Sequence, residues 1–380
     1  MPVELITGNQ AAALAVQRAG VELVAAYPIT PQTAIVETLA SLHAQGELKG
    51  EFVSVESEYA ALACCSGAAA AGARVFTATS SHGLAYMHEM IHWCAGARFP
   101  IVMAGVNRAL GGPWCLDPDQ GDSLSQRDTG WLQLYCSSAQ EVFDTIIQAY
   151  ALAEKIMLPC MVIYDGFYIS HTYETVDIPD REEVQRFLGP PSFAAQVQPG
   201  LPANLHGLST GETQAKLVRE RHRTMKEALA VLKEINARFA AAFNRKYEPV
   251  EAYFPGKIKN VVVAAGACAD TVRWCLPRLA DTGLIRLKAL RPFPGEEISL
   301  LLEKQKIERI VVVDRNCSTG MGGILAQELK AALYPLNSPP AVYDLILAGG
   351  IDFTPQMLQR LLAQREPHRG FAEIWGVDLL

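Results

Sequence analysis

The chain has 380 residues, 50% of them hydrophobic, and carries a formal charge of −7. Such a length supports two or three domains with a sizeable core and excludes a single small module. The acidic balance and the lack of a Lys/Arg block argue against nucleic acid or an anionic membrane as partner, and apolar runs broken within about a dozen residues are too short to span a bilayer.

Residues 1–6 lack the basic and long apolar segments of an export signal, so a cytoplasmic protein is expected. Nine cysteines occur without a C-x-x-C pair. That usage predicts reduced, mostly buried thiols, with no iron–sulfur cluster held by this chain alone.

From residue 1 to about 175, short β-branched or apolar runs alternate with Ala-rich stretches at helical spacing. This is the pattern of a parallel sheet wrapped by helices. Strands are predicted at 23–27, 51–55, 75–78, 101–105, 133–136 and 160–164, and helices at 9–19 and 140–155. Residues 57–73 are so rich in Ala and Gly that they must pack very closely against another element. Residues 176–208, full of Pro and Gly, read as an irregular connecting arm. A long amphipathic helix follows over 209–247, with Thr210 as its cap. Strand–helix alternation resumes at 260–265, 284–290 and 309–314. The expected division is therefore 1–175, an arm and helix over 176–257, and a smaller α/β domain over 258–380.

Several of these elements end in residues that carry chemistry. In Tyr27-Pro28-Ile29-Thr30-Pro31, Thr30 reads as an N-cap and Pro31 as a first helical residue, a corner whose free N–H groups favour an anion such as a carboxylate. A cap with no further role explains it as well. Glu56 and Glu58 stand where a strand meets the Ala-rich helix. Acids in a first turn usually serve the helix dipole, worth roughly 0.3 to 1 kcal/mol. Glu58, however, is followed by Tyr, Ala, Leu and Cys with no cation nearby, so an inward carboxyl would be desolvated there. Arg108, at the end of another predicted strand, offers a planar fork that fits a carboxylate, or it pairs with Asp117, Asp119 or Asp122. In Ser80-Ser81-His82-Gly83, the glycine permits close approach of the backbone to a ligand.

YPITP, the ESE before an Ala/Gly helix, then FTATSSHGL, NRAL and RDTGW occur in one order, with DGF and SH at 165–171 and RPFP and VVVDRN near the C-terminus. Together they resemble the alpha subunit of the pyruvate:ferredoxin oxidoreductase family, along the whole chain. The resemblance implies a thiamine-diphosphate pyrimidine-binding domain followed by a transketolase-C-terminal-like domain. It implies that Glu58 hydrogen-bonds N1′ of the cofactor's aminopyrimidine, which favours the imino tautomer that deprotonates the thiazolium. It also implies that Thr30 and Arg108 bind the substrate carboxylate, and that Ile29, Ser81 and Gly83 lie against the cofactor. The implied reaction is oxidative decarboxylation of a 2-oxoacid to an acyl-coenzyme A, with electrons passed to iron–sulfur clusters in partner chains. Relatives carry Gln where this chain has His82, which makes a turn residue the simpler reading of His82. The loop at 111–122 also departs from the family and is compatible with a larger 2-oxoacid, including an aromatic one as in a phenylglyoxylate dehydrogenase type.

No Gly-Asp-Gly occurs, and Asp165-Gly166 is the nearest approach. This chain is thus expected to hold no metal itself and to need a beta subunit for the diphosphate and magnesium, with gamma and ferredoxin-like delta subunits. Three rivals stand beside this reading. His88-Glu89-Met90-Ile91-His92 is a literal zinc-peptidase pattern. The Gly-rich turn at 320–323 invites a phosphate. A non-redox transketolase-type transferase would keep thiamine and change the reaction.

Overall fold

The computed structural model describes residues 3–363 and 371–379, apart from 192, 194, 204, 206 and 337. The first part runs β1 (Val3–Thr7), α1 (Gly8–Ala19), β2 (Leu23–Ala26), α2 (Thr33–Ala44), β3 (Glu51–Ser54), α3 (Glu58–Ala70), β4 (Val75–Thr79), α4 (Ser81–Tyr86), α5 (His88–Gly96) and β5 (Val102–Asn107). It continues with α6 (Gly121–Leu124), β6 (Leu132–Tyr135), α7 (Ala139–Ile156), β7 (Cys160–Asp165), β8 (Tyr173–Asp177), α8 (Arg181–Leu188) and α9 (Gly211–Phe243). The rest is β9 (Val250–Tyr253), β10 (Asn260–Ala265), α10 (Ala267–Cys275), β11 (Thr282–Leu287), β12 (Ala289–Arg291), α11 (Gly295–Glu303), β13 (Arg309–Asp314), α12 (Ile324–Leu333), β14 (Ala341–Ile346), α13 (Pro355–Ala363) and β15 (Phe371–Trp375).

A seven-stranded sheet has the order β12-β6-β7-β5-β4-β2-β3 and is parallel except where β12 meets β6. Every residue of β4, β5, β6 and β7 is buried, because helices cover both faces of a parallel sheet and leave no polar side. The small side chains of α3 let that helix lie close on β2 and β4, and the Cys65 thiol donates to the carbonyl of Phe76 at 3.4 Å. In the second sheet the order is β15-β14-β13-β10-β11-β9, parallel but for the edge strand β9. β1 and β8 form a separate antiparallel ribbon. Among the described residues no helix is long and apolar enough to cross a membrane.

The predicted single strand at 284–290 is two strands in two sheets: β11 lies between β10 and the edge strand β9 of the second sheet, and β12 edges the first. The crossing point is Lys288, fully buried, whose Nζ donates to Glu141 (2.7 Å) and Thr145 (2.6 Å) on α7. Arg286 also donates to Glu141. Burial alone would push Glu141 up, yet the two cations overcome it and hold the carboxyl down at about 2. This cluster fastens one α/β unit to the other.

The predicted irregular arm contains a helix instead. Asp180 and Glu183 form a capping box for α8, and Phe187 packs edge-on to Phe239 of α9 at 5.5 Å. With only Val184 and Phe187 buried among charged neighbours, its apolar period is too brief to register in the sequence. The cap of the long helix is as expected, Thr210 Oγ1 accepting from the Thr213 N–H.

Candidate active site

The C-terminal ends of β2, β3, β4 and β5 meet along one sheet edge, where ligands of parallel α/β sheets are bound. At the β3–α3 junction Ser57 is the cap, its Oγ accepting the Ala60 N–H at 3.2 Å. Capping is thus done without the acids. Glu56 is exposed, whereas Glu58 is only 7% exposed. Among the described residues the Glu58 carboxyl has no hydrogen bond or ion pair, although its charge is felt by Arg108, which leaves its oxygens open to a ligand. Gly83, in α4, closes on it: a Cβ there would lie 2.5 Å from both Glu58 Oε1 and Thr79 Oγ1. Among the described residues the buried hydroxyls of Thr79 and Ser80 lack partners.

Ser81, at φ 49, is in the left-handed region. Its N–H donates to Asp122 Oδ2 at 2.8 Å and its Oγ to the Ala109 carbonyl at 2.5 Å. Arg108 follows β5 and is 6% exposed. Its Nη1 donates to the Thr30 carbonyl at 2.6 Å, Nη2 lies 3.2 Å from His82 Nδ1, and the buried Nε has no partner. Burial draws the guanidinium pKa down, and the Asp122 and Glu58 carboxylates oppose that. None of Asp117, Asp119 and Asp122 forms an ion pair with the guanidinium; Asp122 takes the backbone N–H of Arg108 instead, at 3.1 Å.

The N-cap expectation for Thr30 is corrected. α2 begins at Thr33 with Gln32 in the cap position and no side-chain cap bond. Gln32 instead donates to the Tyr27 and Ala78 carbonyls at 2.9 and 2.8 Å, tying the loop to the ends of β2 and β4. Thr30 is therefore an exposed loop residue whose carbonyl orients Arg108, and Ile29 beside it is half-buried. One group of expected residues, Thr30, Arg108 and Ser81, gathers around His82; another, Glu58 and Gly83, forms the neighbouring cradle.

The loop at 111–122 entered the sequence reading as a departure bearing on the 2-oxoacid, and Asp122 only as an ion-pair candidate for Arg108; its actual bonds went unforeseen. The Ala109 N–H donates to the Asp117 carbonyl, and the Gly111 N–H to His82 Nε2 at 3.1 Å. A neutral imidazole has one acceptor nitrogen, so His82 takes a bond from Gly111 or Arg108 and not both. The Trp114 ring, 82% exposed, sits 6.4 Å from that of His82. The second α/β unit buttresses this loop, since the Gly349 N–H donates to Asp119 at 2.6 Å and the Gln120 N–H to the Arg315 carbonyl at 2.7 Å.

The rival motifs find other uses. His88 and His92 are exposed with rings edge to face at 4.8 Å, and His88 Nδ1 contacts Gln126. Among the described residues no group of three or more His, Cys, Asp or Glu is arranged to hold a metal. At the Gly-rich turn, the N–H groups that would cradle a phosphate are already taken by Asp314, Asn316 and Asp344. Asp165 accepts from the Ala267 N–H at 2.7 Å, which commits it to the junction between the two units.

Comparison with known proteins gives the family. Residues 14–237 match the family model "Pyruvate flavodoxin/ferredoxin oxidoreductase, thiamine diP-bdg", and residues 259–358 match "Pyruvate:ferredoxin oxidoreductase core domain II". The chain is 43% identical to ketoisovalerate oxidoreductase subunit VorA of Pyrococcus abyssi, over 92% of this chain and 90% of that one. It is also 43% identical to pyruvate synthase subunit PorA of Methanocaldococcus jannaschii, over 98% and 97%. A 2-oxoglutarate:ferredoxin oxidoreductase from Magnetococcus marinus shares the fold, with a TM-score of 0.75 at 22% identity; the match covers 95% of this chain and spans 64% of that longer chain. The chain belongs to the pyruvate:ferredoxin oxidoreductase alpha-subunit family.

Proposed function

We propose that this chain is the pyrimidine-binding subunit of a 2-oxoacid:acceptor oxidoreductase that decarboxylates a 2-oxoacid oxidatively. The observation that carries the reading is Glu58, a buried residue whose carboxyl has no hydrogen bond among the described residues, packed against a glycine that lets the α4 backbone approach it closely. The ring nitrogen of an aminopyrimidine would give the acid a partner, and the Thr79 hydroxyl, unpartnered among the described residues, lies beside the same carboxyl. When bound, thiamine diphosphate supplies the carbon nucleophile and electron sink that decarboxylation needs.

The chain's own residues then divide the work. Glu58 holds a proton at N1′ of the aminopyrimidine, and its burial keeps water from competing for that bond. Arg108, aimed by the Thr30 carbonyl, presents its remaining N–H donors to the substrate carboxylate. Trp114, Leu110 and Leu116 are exposed beside it and favour an apolar 2-oxoacid side chain, as in pyruvate, a branched-chain acid or an aromatic acid such as phenylglyoxylate.

We assign the diphosphate and magnesium to a beta subunit, because Asp165 is committed elsewhere. The iron–sulfur clusters belong to further subunits of gamma and ferredoxin-like delta type, and coenzyme A is the acyl acceptor. The nine cysteines are all free thiols, in keeping with the reducing cytoplasm. The test is the assembled complex assayed for dye reduction with pyruvate, 2-oxoisovalerate, 2-oxoglutarate and phenylglyoxylate, wild type against Glu58→Gln. Turnover on an apolar 2-oxoacid that disappears in the variant supports the reading. Full turnover in Glu58→Gln overturns it.

A further inference from the structure

Two turns make the site, and they come from different strands. One follows β4 and carries Ser81 and Gly83; the other follows β5 and carries Arg108. Neighbouring parallel strands fix where these turns start, but nothing in the sheet fixes how they point beyond its edge. The side chain between them is Asp122, from α6, 1% exposed.

Its carboxylate is used fully. Oδ2 accepts the Ser81 N–H at 2.8 Å and the Arg108 N–H at 3.1 Å. Oδ1 accepts from Asn107 Nδ2 at 2.6 Å and from its own neighbour's Ser123 N–H at 2.7 Å. Four donors converge on one group, and a single oxygen joins the two turns. Ser81 needs such a partner, since it stands at φ 49, a conformation that residues with a side chain rarely adopt. Relaxing it would move Gly83, whose place against Glu58 leaves no room for even one more carbon. Burial pushes Asp122 up to about 7, and the four N–H donors oppose that rise.

We propose that Asp122 is a positioning residue that sets the cofactor cradle and the substrate clamp together, so that both binding events depend on one side chain touching neither ligand. The inference rests on the roles proposed for Glu58 and Arg108. It separates from a merely structural role because it requires two binding constants to move in parallel. An Arg108 substitution, by contrast, should move only the substrate constant.

The experiment uses the purified assembled complex. Thiamine diphosphate dissociation is measured by quenching of protein fluorescence without substrate, and KM and kcat for the best 2-oxoacid are measured separately. Asp122→Asn, nearly the same shape but with one acceptor fewer, should raise the thiamine diphosphate Kd and the 2-oxoacid KM each about tenfold. Asp122→Ala should exceed it in both; if that variant fails to assemble, Asp122→Asn decides alone. Unchanged constants in Asp122→Asn, with or without a lowered thermal midpoint, overturn the positioning role. If Glu58→Gln meanwhile loses turnover, only that role falls. If Glu58→Gln keeps both cofactor affinity and turnover, the site reading fails and this inference goes with it.

Discussion

Two helices begin at the C-terminal edge of a parallel strand with an acid close by, and the two acids are used in opposite ways. At the start of α12, Asp314 accepts the Leu325 and Ala326 N–H groups at 2.8 and 2.9 Å, Asn316 accepts Ile324, and Asp344 accepts Gly323. Burial and the adjacent Asp344 push Asp314 well above the usual carboxylate range. At the start of α3 the capping is done by Ser57, and Glu58 is left buried and unpaired. Orphan amides at a helix start need acceptors, so an acid that supplies them belongs to the fold. Glu141, excused from capping α7, is spent on Arg286 and Lys288; Glu58, excused likewise, has no such hydrogen bond and is free to meet a ligand. The Gly-rich turn before α12 looks more like a binding motif in the sequence, yet its donors are already satisfied.

The comparison is broken most directly at Glu58. Glu58→Gln should lower turnover of the assembled complex by about 10³-fold, roughly 4 kcal/mol of barrier, with the thermal midpoint unchanged. Arg108→Ala should raise the 2-oxoacid KM by about 100-fold, close to 3 kcal/mol, and leave the thiamine diphosphate Kd near wild type. The fold-keeping side is sharpened at Glu141, whose folded pKa of about 2 lies below its unfolded value. A carboxyl depressed in this way adds stability that is complete above its unfolded pKa of roughly 4.3 and is lost as pH falls toward the folded one. Thermal midpoints should therefore drop steeply between about pH 4.3 and 2 in the wild type and less steeply in Glu141→Gln. Asp314→Ala should cost about 2 kcal/mol in chemical unfolding while leaving both ligand constants intact. Smallest of all, exposed Glu56→Gln should stay within about twofold of wild type in every assay.

The sequence reading and the structure part company where long-range pairing decides. Strands of the first sheet such as β4, β5 and β7 were legible because they are continuous apolar runs bounded by turn signals. The short edge strands β9 and β12 were not, since three or four residues carry no period and their pairing is set by a partner far along the chain. Lys288, with Arg286, interrupts the apolar run over 284–290, but the local sequence does not show that the interruption is a crossing between two sheets. At the site, Glu58, Arg108 and Gly83 could be picked out as residue types in the right local company. Asp122 could not: it stood among three aspartates after Arg108, all eligible as ion-pair partners. Its bonds go to backbone N–H groups that come together only when β4 and β5 are side by side. Thr30 was misjudged as a cap because Gln32 spends its side chain on Tyr27 and Ala78, which local spacing does not reveal.

The central claim is that the unpaired carboxyl of Glu58 is reserved for a pyrimidine nitrogen, and a structure of the assembled complex with thiamine diphosphate tests it most directly. The account predicts N1′ within hydrogen-bond reach of a Glu58 oxygen, about 2.6 to 3.2 Å, with the ring lying over Gly83. A ring bound elsewhere, or a Glu58 carboxyl taken up by a side chain of a partner subunit, would contradict it.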